Sequence, residues 1–190
     1  MDFFSDYSFY TLFFLAAFAF IAGFLDAIVG GGGLIQLPAL LIQFPQLALP
    51  TLFGTNKIAA LSGTSIAAVQ YAKRIRFNWK VLLSISLFSF LFSFLGARTV
   101  SYLDSEALKP LILIILIAIA IYTFIKKDLG NVATKDLSTT KKMIFGALIG
   151  AMIGFYDGFF GPGTGSFFVL AFVVILGFDF LSASAYAKVV

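Results

Sequence analysis

The chain has 190 residues, of which 61% are hydrophobic and only 12% charged, with a mean hydropathy of +1.03. Soluble domains are about 45–50% apolar and about 25% charged, so this chain lacks a soluble domain's polar surface and reads as an all-α, polytopic transmembrane protein. It contains neither Cys nor His, which excludes disulfides, thiol chemistry, histidine metal sites and histidine proton shuttles, and its net charge of +4 lies in loops, so no nucleic acid is implied as a partner.

The first apolar run predicts a helix over 8–29. The residues before it include Asp2 and Asp6 but no Lys or Arg, against the basic start of a signal peptide. A short piece over 34–44 contains Pro38 and ends at Pro45. Eleven helical residues rise only about 16 Å, half a bilayer. A half-helix, a re-entrant loop and a helix continuing irregularly through 47–52 are all compatible with it. A third piece is expected over 56–72, followed by two spanning helices over 81–97 and 107–125. The stretch 126–142 is the one polar composition shift. The pattern then restarts with a helix over 143–160, a Gly/Pro break, a piece over 166–178 and another from Ser182.

Short loops rich in Lys and Arg stay cytoplasmic. Lys73, Arg74, Arg76 and Lys80 form one such cluster; Lys126, Lys127, Lys135, Lys141 and Lys142 form a second. The connection from Arg98 to Lys109 is balanced by Asp104 and Glu106 and is expected outside. Trp79, Tyr71 and Tyr122 fit interfacial anchors, and the 25 Phe fit lipid-facing and packing positions.

Two motifs interrupt apolar runs: GFLDAIVGGGGL, residues 23–34, and GFYDGFFGPGTGS, residues 154–166. Gly23, Phe24, Asp26, Gly30 and Gly32 recur as Gly154, Phe155, Asp157, Gly161 and Gly163, at a constant offset of 131 positions. Lys57 in GTNK recurs at the same offset as Lys188 in AYAK. A duplicated chain is the economical account, with a first repeat at 1–128, a cytoplasmic linker at 129–142 and a second repeat at 143–190. On that account the second repeat stops early. Three crossings before the first basic cluster make the halves inverted; a re-entrant short piece makes them parallel, with four spans each.

An ionisable group inside a spanning segment costs about 2.5–3.5 kcal/mol on insertion scales. Asp26 and Asp157 are therefore candidates for function, although a carboxylate beside a helix break can equally cap freed amides. The spacing of Gly146, Gly150 and Gly154 reads as close helix packing. The tracts Gly30, Gly31, Gly32, Gly33 and Gly161, Gly163 exceed what packing requires. They end one helix and start another, and the amides at a new helix N-terminus bind anions. Non-helical backbone at membrane depth must be buried or line a water-filled cavity, so a cavity is expected there. Neither tract is a nucleotide loop, because each follows a helix and lacks Gly-Lys-Ser/Thr. Lys57 and Lys188 either snorkel to the interface or neutralise the aspartates or an anionic substrate. Thr55, Asn56, Thr164 and Ser166 are candidate neutral donors, and Asp179 reads as interfacial.

Taken together, the paired Gly-Phe-x-Asp motifs and the Asn-Lys element resemble the TauE/SafE, sulfite exporter-like family over essentially the whole chain. The resemblance implies an inner-membrane carrier with two related halves, several members of which export sulfite or sulfonate-type anions. By position it marks Gly23, Asp26, Gly30, Gly32, Asn56, Lys57, Gly154, Asp157, Gly161, Gly163 and Lys188. The expected partners are a small anionic substrate and the bilayer; a homo-oligomer is left open, no cofactor is implied, and the coupling expected is to protons or membrane potential. Two rivals make different predictions. A membrane assembly subunit would have no buried polar cluster joining the halves, and an intramembrane enzyme would bring Asp26 and Asp157 together as one titrating pair.

Overall fold

The structure, a computed structural model, describes residues 8–29, 31–104, 108, 110, 112, 114, 117, 121 and 137–190. Seven helices with defined bounds run through them: α1 (Phe9–Val29), α2 (Gly33–Gln43), α3 (Leu49–Ala72), α4 (Trp79–Ser101), α5 (Thr139–Phe159), α6 (Thr164–Val174) and α7 (Phe180–Val189). The described positions between 108 and 121 are helical too. No strand occurs among the described residues. The basic residues Lys126, Lys127 and Lys135, the anchor Tyr122, the acidic Asp2, Asp6 and Glu106, and Gly30 all lie outside the described residues.

Local chemistry sets the boundaries. The short second piece is a separate helix that stops before Pro45, and helix restarts at Leu49 with Pro50 in its first turn, where a missing N–H costs nothing. The third helix thus begins seven residues before the expected start at Asn56. Asn78 opens α4 by accepting from the amides of Lys80 and Val81 at 3.2 and 3.4 Å. Ser138 caps α5, so that helix takes in 139–142, the end of the stretch read as linker. The piece expected to reach 178 closes at Val174, followed by Gly177 at φ 69°. Asp179, read as interfacial, caps α7 by accepting from the Ser182 amide at 2.9 Å.

The bounds repeat along the chain. α6 and α7 begin 131 positions after α2 and α3, and α5 begins 130 after α1. α2 and α6 are each 11 residues long.

α4 and α5 are long and apolar enough to cross a membrane, and they form the tightest helix pair. Their contact is glycine against backbone. A Cβ at Gly150 would meet the Ile85 carbonyl oxygen at 2.7 Å, and one at Gly154 the Ser89 carbonyl oxygen at 2.6 Å. Gly158 lies equally close to the backbone of Ser93, and Gly96 on α4 answers with a close approach to Phe155. Ser89 Oγ and Ser84 Oγ then reach the carbonyls of Gly150 and Met143 at 3.3 and 3.2 Å. The expected glycine packing stripe is present. Small residues suit such a contact because lipid offers no hydrophobic drive and association depends on close packing.

Two apolar clusters flank this pair. One packs Val81, Leu82 and Ile85 against Phe168, Phe172, Leu176, Ala183 and Tyr186. The other gathers Leu37, Leu40, Leu49, Leu52, Phe53, Val100, Ile112 and Phe160. Between them lies the polar ground. Outward, Phe13, Phe20, Leu83 and Met152 are exposed, a surface suited to acyl chains.

Candidate functional site

Each glycine tract ends a helix just after its aspartate. In the first, Asp26 sits in the last turn of α1. Its Oδ1 accepts from the amides of Gly31 and Gly32 at 2.9 and 3.2 Å. A Cβ at Gly32 would lie 2.9 Å from the Asp26 Cβ, so glycine is what lets the chain fold back onto the carboxylate. In the second, Asp157 sits in the last turn of α5. Gly161 follows at φ 89°, and a Cβ there would lie 3.1 Å from Lys57 Cε and Nζ. The Tyr156 hydroxyl braces this break by donating to the Pro162 carbonyl at 2.7 Å.

The lysines cross over. Lys57, on α3, forms an ion pair with Asp157 on α5. Lys188, on α7, donates to Asp26 Oδ2 at 2.8 Å and to the Asp26 carbonyl at 3.1 Å. α3 packs on α7, which brings both ammonium groups to the same place. Each lysine thus meets an aspartate from the other end of the chain. Among the described residues, each candidate carboxylate meets a lysine rather than the other carboxylate.

A cavity of about 640 Å³ opens onto these pairs. Asp26, Gly31, Gly33, Asn56, Lys57, Asp157, Gly161, Gly163, Thr164 and Lys188 all line it. Of the other expected site residues, Thr55 turns its hydroxyl to its own helix, donating to the Thr51 carbonyl at 2.9 Å. Thr55, Gly32 and Ser166 are not among the lining residues, and Gly30 lies outside the described residues. The opening reading of the tracts as sources of free amides changes for the first one: Asp26 already occupies the amides of Gly31 and Gly32. Thr164 donates to the Gly161 carbonyl and so stiffens the second break rather than offering its proton to the cavity.

Asn56 was expected as a donor. Its side chain is buried and its Oδ1 has no hydrogen-bond partner among the described residues, while its Nδ2 lies 3.1 Å from where a Cβ on Gly33 would stand. Sequence reasoning missed Ser89, Ser93 and Thr64 in the lining. Their one signal is position: Ser89 and Ser93 lie four apart on the α4 face that meets the α5 glycines.

The site thus holds two ammonium and two carboxylate groups, each pair joining a helix from one end of the chain to one from the other. Its formal charge is zero.

The chain matches the family model described as sulfite exporter TauE/SafE over residues 15–190. It is 43% identical over 185 residues to a probable membrane transporter protein of a Sinorhizobium species, covering 96% of this chain and 69% of that protein. It is 40% identical over 172 residues to a probable membrane transporter protein of Haemophilus influenzae, covering 90% of this chain and 65% of the relative. To the probable membrane transporter protein YfcA of Escherichia coli it is 36% identical, covering 94% of this chain and 64% of that one. The chain therefore spans about two thirds of the length of these relatives. No solved structure gives a significant match. By its model match and these identities, the chain belongs to the sulfite exporter TauE/SafE family.

Proposed function

We propose that the protein is a multi-pass carrier of the cytoplasmic membrane that exports a small anion such as sulfite, a sulfonate or an organic acid. The observation that carries this reading is the pair of crossed Lys–Asp contacts at two glycine breaks lining one cavity. Charged groups are kept inside a lipid-facing helical protein when they serve a pathway or a ligand, and binding near interrupted helices of two repeats is a recurrent carrier design. The common offset of helix starts and of both ion-pair partners supports reading 1–128 and 143–190 as related repeats joined through 129–142. The family's description supplies the anion class.

The polar cluster joining both ends of the chain favours a carrier over an assembly subunit. The pairing of each Asp with a Lys favours it over an aspartate-dyad enzyme. No ATP-binding motif occurs in the sequence, so the energy in this reading comes from ion or substrate gradients. The test is tracer flux of a panel of small oxyanions in proteoliposomes. Lys57→Met keeps much of the stem while removing the charge. Losing one charge-assisted hydrogen bond of about 1.5–3 kcal/mol weakens anion affinity about 10- to 150-fold. Flux unchanged by this substitution at normal expression sinks the anion-site reading.

A further inference from the structure

Resting on the anion reading above, we propose that anion binding at Lys57 is linked to uptake of one proton by Asp157, while the sequence-equivalent Asp26–Lys188 pair stays closed. The two pairs occupy matching positions in the motifs but are built differently. Asp26 holds two backbone amides on Oδ1 and Lys188 on Oδ2, and Lys188 also holds the Asp26 carbonyl. The Lys188 side chain is only 14% exposed. Asp157 has Lys57 as the one hydrogen-bond partner of its carboxylate among the described residues, and the Lys57 side chain is 42% exposed, open to the cavity. Opening the first pair breaks two contacts, and the Asp26 carboxylate stays tied to two backbone amides; opening the second breaks one.

While Asp157 keeps Lys57, the ammonium charge is already neutralised, and an anion meets only its remaining N–H donors. The charged groups around the pair offer no substitute. α1 presents Asp26 and α7 presents Lys188, already paired with each other. α5 presents Asp157 and Tyr156, the latter committed to the Pro162 carbonyl. α4 presents Ser89, Phe90, Ser93, Phe94 and Ala97 to the cavity, none of them ionisable, and the sequences of α2 and α6 contain no ionisable side chain. With formal charge zero, an added monovalent anion leaves an uncompensated negative charge unless a cation accompanies it. A proton does so at Asp157. The Nζ–Oδ1 ion pair breaks, Oδ1 takes a proton from bulk solvent, its conjugate base remaining in solution, and the ammonium donates to an oxygen of the anion instead. One proton and one monovalent anion enter together, and the charge of the site is unchanged.

The test is calorimetric titration of the purified protein in nanodiscs with ethanesulfonate, an anion at every working pH, so that any proton taken up goes to the protein. Repeating it in two buffers of different ionisation enthalpy counts the protons. The expected count approaches one per anion, with Kd rising about tenfold per pH unit wherever that count is measured. Asp157→Asn is expected to bind with no uptake and a flat pH profile. Should that variant not fold, the wild-type proton count and slope decide alone. Wild-type binding with no uptake and a flat profile overturns the linkage but leaves the anion reading intact. Uptake that persists in Asp157→Asn also overturns it, because the proton then goes elsewhere. Failure of ethanesulfonate, sulfite and a small carboxylate such as acetate to bind overturns the linkage and the anion reading together.

Discussion

Gly154→Ala isolates the contact that holds α4 and α5 together. An added Cβ would stand 2.6 Å from the Ser89 carbonyl oxygen and 2.7 Å from its Cα, where carbon atoms prefer about 3.5–4.0 Å. Both obstacles are backbone of a neighbouring helix, so no side chain can swing aside and the helices must part by about 1 Å. Overpacking of this kind costs about 1–3 kcal/mol. Alanine recovers about 0.5–1 kcal/mol of intrinsic helix preference, leaving a net loss of about 0.5–2 kcal/mol. Gly63→Ala is the control. It lies inside α3 with nothing within 4 Å of the new Cβ, so the substitution there gains the propensity without the clash. Denaturant unfolding in mixed micelles, followed by the fluorescence of Trp79 at the start of α4, separates the two. Gly154→Ala as stable as wild type, or shifted in the same direction as Gly63→Ala, refutes the close α4–α5 packing.

Three further outcomes follow from the geometry. Asp26→Asn strands Lys188 and weakens the cap on Gly31 and Gly32, a loss of about 1–3 kcal/mol; adding Lys188→Met to it costs less than the two singles combined, with a coupling of about 0.5–3 kcal/mol in a denaturation cycle. Reporter fusions at Arg76 score cytoplasmic and fusions at Asp104 periplasmic, because short basic loops stay inside; a cytoplasmic score at Asp104 overturns the segment count. The Ser182 side chain and amide hold the Asp179 carboxyl below its ordinary value of 3.8. A depressed carboxyl stabilises the fold fully above its unfolded value and loses that contribution as pH falls through the folded one. Asp179→Ala therefore costs about 0.5–2 kcal/mol of cap at neutral pH and less once wild type is acidified well below pH 3.8, as read from hydrogen exchange of the Ser182 amide.

The parts of the fold legible in the sequence were those written as composition and spacing. Apolar runs located the helices, and the Gly/Pro punctuation located the breaks. The rare charges in apolar segments, Asp26, Lys57, Asp157 and Lys188, pointed to the cavity. Boundaries drifted where a single cap decided them. Pro50 starts α3 early and Ser138 starts α5 inside a polar stretch, because hydropathy averages over residues whereas a helix start depends on one φ angle or one accepted hydrogen bond. The exchange of partners was not legible. An offset of 131 says which residues are equivalent, but either pairing of two lysines with two aspartates satisfies it; only the folded positions of the side chains choose. Thr55 was misjudged because a hydroxyl in a helix can bond the carbonyl four residues back, and Thr55 does so. The orphaned Oδ1 of Asn56 could not be foreseen, since burial without a partner is a property of surroundings and not of residue type.

A hydrophobic carbodiimide tests the exchange of lysine partners on the unmodified sequence. The reagent joins an ammonium to a carboxylate with no added spacer, so it fuses groups already in contact. Treating the protein in membranes, digesting it and identifying the linked peptides by mass spectrometry reads the pairing directly. The predicted products join Lys57 to Asp157 and Lys188 to Asp26, with the exposed first pair reacting faster than the shielded second. Links from Lys57 to Asp26, or from Lys188 to Asp157, in their place contradict the crossed arrangement.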